Sequence, residues 1–146
     1  MKEDLFLFAT IADTPIAVPA REIEAVVRLS EVVPVPLAPL HVRGLAALRS
    51  RVLTVIDLEA RLFGVAAPDK TVPLAVVADF AAHSYGFLID SVQDICPAPD
   101  GVEAIRGRID PAWAPYVSGV VNWEARSHLL LCLADFVAAP AGTMAA

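Results

Sequence analysis

The chain has 146 residues, 57% hydrophobic and 19% charged, with a formal net charge of −6. That length suits one domain, or two very small units sharing a core, and the supply of Leu, Ile, Val and Phe excludes a disordered chain. The longest run free of Asp, Glu, Lys and Arg is residues 111–123, short of the roughly 18 that a membrane helix needs, and the acidic balance lacks the basic footprint of a duplex-binding protein.

Short apolar runs recur between Pro, Gly, Asp and Ser punctuation. Residues 5–11 read as a strand that turns through Asp13, Thr14 and Pro15 into 16–18. The Val-rich stretch 23–29 reads as a bent strand. Residues 32–39 contain Pro34, Pro36 and Pro39, so they are neither helix nor central strand but an extended connector.

Residues 51–56 form a clear strand. Asp57 then has the chemistry of a helix N-cap and Gly64 that of a C-cap, bounding a helix of under two turns. Two further strands follow at 73–78 and 85–89, separated by a turn at His83 and Ser84, and Val92, Ile95 and Cys96 suggest another. Residues 97–115 hold four prolines and two glycines and read as irregular. A hairpin over 117–123 and 128–131, turning through Glu124, Ala125 and Arg126, leads to a terminal helix beginning near Ala134. Residues 139–146 read as a flexible tail. Many short strands at this spacing, without βαβ alternation, predict an all-β fold.

Charge is unevenly spread. Residues 21–61 carry six arginines against five acids, whereas the remainder carries five bases and twelve acids. Arginine favours planar, bidentate contacts to carboxylates. Two acids follow Lys2 where a secretory signal needs basic residues, and Cys96 and Cys132 have no neighbouring His or Cys. Both features point to a reduced, cytoplasmic protein.

Catalytic patterns are scarce. His41, His83 and His128 are isolated, without metal-ligand spacing. Ser84 and Ser127 each adjoin a histidine, but neighbouring strand residues face opposite ways and cannot act as nucleophile and base. No GxSxG elbow or phosphate-cradling Gly loop occurs. Asp57, Asp90 and Asp135 each follow an apolar run, the usual place for a capping or turn-forming acid. No cofactor, metal or catalytic residue is therefore expected.

The most informative stretch is 44–58, with Gly44, Leu45, Leu48, Arg49, Val52, Leu53, Val55, Asp57 and Leu58 in order. It resembles the signature of the CheW family of bacterial chemotaxis adaptors, Gly-Leu-Ile-Asn-Leu-Arg-Gly-x-Val-Leu-Pro-Val-x-Asp-Leu. Residues 16–29 followed by 35–39, residues 85–95, and residues 116–121 followed by 129–136 resemble the family's first hairpin and connector, its Gly-hydrophobic-Val-Asp segment, and its closing hairpin and helix. The resemblance covers residues 4–138 as one CheW-like domain. It implies two five-stranded, SH3-like β-barrels sharing a hydrophobic core, with one or two short helices and subdomains of roughly 14–70 and 71–138.

The resemblance also implies a non-enzymatic scaffold joining methyl-accepting chemoreceptor tips to the regulatory domain of the histidine kinase CheA, with no membrane insertion. By motif position the partner-binding residues are Arg49, with Gly44, Leu45 and Leu48 shaping its loop, and Val26, Val27 and Arg28 on a strand edge. Glu24 is the carboxylate beside Ala25, where the family often has an acid. The loop diverges from the pattern: Ala47 replaces Asn, Ser50 replaces Gly, and Thr54 replaces Pro. A Ser50 held at positive φ would cost about 1 kcal/mol. The alternatives are a CheW-like regulatory or dimerisation module for another signalling kinase, and a small β-barrel hydrolase using Asp57 or Asp90.

Overall fold

The computed structural model describes residues 4–69 and 72–137; the tail expected at 139–146 lies outside the described residues. Among the described residues eleven strands and two short α-helices form: β1 (Leu5–Ile11), β2 (Thr14–Pro19), β3 (Ala25–Arg28), β4 (Val42–Leu48), β5 (Arg51–Ile56), α1 (Leu58–Phe63), β6 (Leu74–Phe80), β7 (His83–Ile89), β8 (Ser91–Pro97), β9 (Val102–Glu103), β10 (Val117–Trp123), β11 (Arg126–Leu131) and α2 (Ala134–Val137). One sheet runs β8-β1-β2-β11-β10-β9, the other β3-β6-β7-β5-β4. Each contains one parallel pair, β2 with β11 and β5 with β7, among antiparallel neighbours.

The mostly-β class holds, but the expected closed barrels do not form. Among the described residues β8 does not pair with β9, nor β3 with β4, so both sheets are open, one six-stranded and one five-stranded. Proline and strand length account for this. Closing the second sheet needs β3 against the outer edge of β4, but the proline-bearing connector already sits there. Val33 and Leu45 exchange backbone hydrogen bonds, each 2.8 Å, as an isolated bridge. Pro34, Pro36 and Pro39 have no N–H to extend it. In the first sheet β9 is only two residues long, and β8 ends at Pro97.

The central strands explain the packing. β1 and β6 are near-continuous apolar runs, as strands covered on both faces must be. Leu7, Ala9 and Ile11 face a large cluster that also takes Ile56, Val76, Ala78, Phe87, Trp113 and Phe136, so the two sheets share it. On the other face of β1, Phe6 and Phe8 pack with Val121 and Leu130. On the other face of β6, Ala75 and Val77 pack with Leu53 and Val55. Each sheet thus curls around a small core of its own and presses its opposite face onto the common one.

Caps and turns show what local chemistry decides. Asp57 is the N-cap of α1, its Oδ1 accepting from the Ala60 N–H at 3.1 Å, and Gly64 ends the helix with φ 75°. The same buried carboxylate, through Oδ2, pairs with Arg43 at 2.6 Å and accepts from the Ala67 N–H at 2.9 Å, which fastens the following loop. Asp90 ties the sheets where the chain crosses between them: its Oδ2 accepts from the Ala12 N–H, and its own N–H donates to Thr10 O. Three hairpin turns, Ala12-Asp13, Ala81-Ala82 and Glu124-Ala125, hold every residue at positive φ without glycine. Turns expected at 13–15 and 83–84 therefore begin earlier, because a primed two-residue turn matches strand twist despite its strain.

Two consequences are measurable. Gly44 lies beneath the connector, where an added Cβ would stand 2.2 Å from the Val33 carbonyl oxygen. Gly44→Ala should therefore cost about 1–3 kcal/mol in urea unfolding, with faster amide exchange at Val33 and Leu45. His128 is 3% exposed, edge-on to Phe8 at 5.0 Å, and burial pushes its pKa below the ordinary 6.5. A depressed folded-state pKa stabilises the neutral form, so this contribution is complete above 6.5 and is lost as pH falls below it. His128→Phe should flatten the decline of unfolding free energy between pH 7 and about 5 relative to the parent chain.

Candidate docking cleft

The open seam of the second sheet leaves a shallow cleft of about 480 Å³, lined by Glu24, Ala25, Val27, Leu48, Arg49, Ser50 and Arg51. One wall is the β3 edge and the other is the turn between β4 and β5. Val27 and Leu48 are both partly buried against the sheet's own core, and they supply apolar floor to the cleft. The walls differ in origin but meet because the sheet curls.

Leu48 pairs with Arg51 to close a two-residue turn. Within it Arg49 holds φ +57°, while Ser50 is not in the left-handed region. The strain anticipated at Ser50 thus falls on Arg49 instead. A bulky residue at positive φ is uncommon, and Arg49 shares this conformation with the residues of the other hairpin turns. The Arg49 side chain is exposed, and no hydrogen bond or ion pair engages its guanidinium among the described residues. Arg51, by contrast, is paired. Its Nη2 pairs with Glu24 Oε2 at 2.5 Å, and its Nη1 reaches Asp79 Oδ2 and Ser84 Oγ, each at 3.4 Å.

Of the residues singled out in the sequence, the fold brings Glu24, Val27, Leu48 and Arg49 together at this cleft. Four others lie elsewhere. Gly44 is buried under the connector. Leu45 stands half-exposed on the outer face beside Val33. Val26 points to the opposite face of β3 and packs on the shared core. Arg28 donates from Nη1 to the Val72 carbonyl at 3.2 Å. Sequence reasoning missed Arg51, whose partners are distant in the chain. It also missed an exposed apolar strip in which Val33 stands opposite Leu45 and Val52, opposite Ala47, lies diagonally along the same face. Val52 stood in the signature segment, and its exposure was the only signal absent.

A second cavity, about 320 Å³, lies by the α1 N-terminus and is lined by Arg43, Asp57, Asp69 and Asp90 among others. Its central carboxylate is consumed by the bonds already described, and Arg43 further donates to Asp69 Oδ1 at 2.7 Å and to the Ala67 carbonyl. Neither cavity is lined by a histidine. Among the described residues no group of His, Cys, Asp and Glu is placed to hold a metal ion.

The profile of the CheW-like domain matches residues 5–140. The chain is 36% identical to the chemotaxis protein CheW of Rhizobium meliloti (strain 1021), over 52% of this chain and 61% of that protein. It is 30% identical to the chemotaxis protein CheW of Thermotoga maritima, over 63% of this chain and 60% of that one. The chain thus spans about three fifths of the length of the curated relatives it matches. The crystal structure of the scaffolding protein TtCheW from Thermoanaerobacter tengcongensis superposes with a TM-score of 0.73 over 90% of both chains at 19% identity, which establishes a common fold.

Proposed function

This chain belongs to the CheW-like domain family, and from that premise we propose that it is a non-enzymatic adaptor of chemotaxis signalling. In this reading it couples the cytoplasmic tips of methyl-accepting chemoreceptors to the regulatory domain of the histidine kinase CheA. The observation that carries it is the docking cleft. An apolar floor of Val27 and Leu48 lies beside an exposed guanidinium held at the tip of a strained turn. Such an arrangement suits a helical hairpin that buries small apolar side chains and places a carboxylate against Arg49, a charge-assisted contact. The exposed strip of Val33, Leu45 and Val52 is a separate apolar surface on the opposite face of the same hairpin.

The adaptor reading also accounts for the carboxylates. Asp57 caps a helix and pairs with Arg43, and Asp90 accepts a backbone N–H. Those bonds hold each in a structural role. A cytoplasmic location follows from the partners. Among the described residues no helix is long and apolar enough to cross a membrane.

Size-exclusion chromatography of the chain with a chemoreceptor tip fragment and the CheA regulatory domain tests this. A shifted peak is expected at tens of micromolar, as signalling contacts are often weak. Arg49→Ala should weaken receptor binding about tenfold, near 1.4 kcal/mol, while thermal unfolding stays cooperative, since surface substitutions usually stay within about 0.5 kcal/mol. An unshifted parent chain, or undiminished binding by Arg49→Ala, would contradict the reading.

A further inference from the structure

The geometry points to a division of labour between two arginines of one turn: Arg51 is a clasp across the open seam that sets the width of the cleft, and Arg49 is thereby left to meet a carboxylate of the docked receptor tip. This rests on the docking role proposed above.

The strand order carries the argument. β3 and β4 stand at opposite ends of the five-stranded sheet and share no backbone hydrogen bond. The ladder therefore links the β3 edge to the turn after β4 only the long way round, through β6, β7 and β5. Arg51 links them directly. From the first position of β5 its guanidinium reaches Glu24, the residue before β3, at 2.5 Å. The remaining arm of the fork meets Asp79 on β6 and Ser84 on β7, which are themselves register partners. Glu24 is a firm anchor because its N–H donates to the Val77 carbonyl at 2.8 Å. One planar cation thus touches the edge segment and two interior strands at once, a use suited to arginine and poorly served by lysine.

Charge completes the case. Glu24 and Asp79 both turn to Arg51, and no acid among the described residues contacts Arg49. Arg49 is thus the arginine of the cleft lining that has no ion pair among the described residues. Because both partners of the clasp are substantially exposed, at 34% and 47%, its effect on global stability is small. It acts on the separation of the two edges and not on whether the domain folds. Arg51 is therefore a positioning residue, and Arg49 is the docking one.

Four variants of the full chain test this: Arg51→Met, Glu24→Arg, a charge swap of Arg51→Glu with Glu24→Arg that also carries Asp79→Asn to remove the carboxylate facing position 51, and Arg49→Ala. Amide hydrogen exchange is measured without partner, and affinity is measured against a chemoreceptor tip fragment. Arg51→Met and Glu24→Arg should speed exchange at residues 24–28 and 48–51 several-fold and weaken the receptor fragment about tenfold, with thermal midpoints nearly unchanged. The charge swap should restore both readouts to within about threefold, and Arg49→Ala should lose affinity with parental exchange. Parental exchange in Arg51→Met, or a swap that restores neither readout, overturns the clasp. If the parent chain does not bind the fragment, the docking reading fails, and the exchange data still decide whether Arg51 holds the seam.

Discussion

Two-sided burial is the constraint on which this structure depends. A chain this short has too little apolar material for two independent cores, so the strands that carry most of it must serve two at once. β1 sends Leu7, Ala9 and Ile11 one way and Phe6 and Phe8 the other. β6 does the same with Val76 and Ala78 against Ala75 and Val77. Because strand side chains alternate, a one-residue slip in either strand would exchange the two cores. Both sheets are thereby held in register by the same interior, and the crossover at Asp90 is pinned by hydrogen bonds to the first hairpin.

The same economy leaves the sheets open. Closure would require long, proline-free edge strands, and the chain supplies a two-residue β9 and a connector whose prolines cannot extend a ladder. In the second sheet the gap becomes useful surface. Gly44 admits the connector against β4, the connector occupies the edge that β3 would need, and the seam opens onto Val27, Leu48 and the turn bearing Arg49. Side-chain electrostatics, through Arg51, then does across the seam what backbone hydrogen bonds do elsewhere in the sheet. The cleft proposed for docking is in this sense a by-product of incomplete closure, and Gly44 and the connector, which lie outside its lining, help to determine its shape.

What the sequence disclosed follows a physical division between local and distant contacts. The caps at Asp57 and Gly64 are short-range chemistry and were legible, as were the proline connector and the final hairpin and helix. The turns at Ala12-Asp13 and Ala81-Ala82 were misplaced because alanine carries no turn signal, and the strain is borne by strand pairing on either side. Open versus closed sheets depends on whether β3 meets β4 and β8 meets β9, which no local pattern encodes. At the cleft, the family signature found Arg49 and Leu48. It also grouped with them Gly44 and Leu45, which the fold uses to seat the connector. Arg51 escaped notice because Glu24 and Asp79 lie on other strands and become its neighbours only when the sheet curls.

The central claim is that partners dock at the open seam of the second sheet. Backbone amide shifts recorded during titration with a chemoreceptor tip fragment test it most directly. The account predicts that the largest changes fall on residues 24–28 and 48–52, with the Arg49 amide among them and the Arg43–Asp57 cavity silent. Changes concentrated instead on β8 to β11, with the seam residues unmoved, would contradict it.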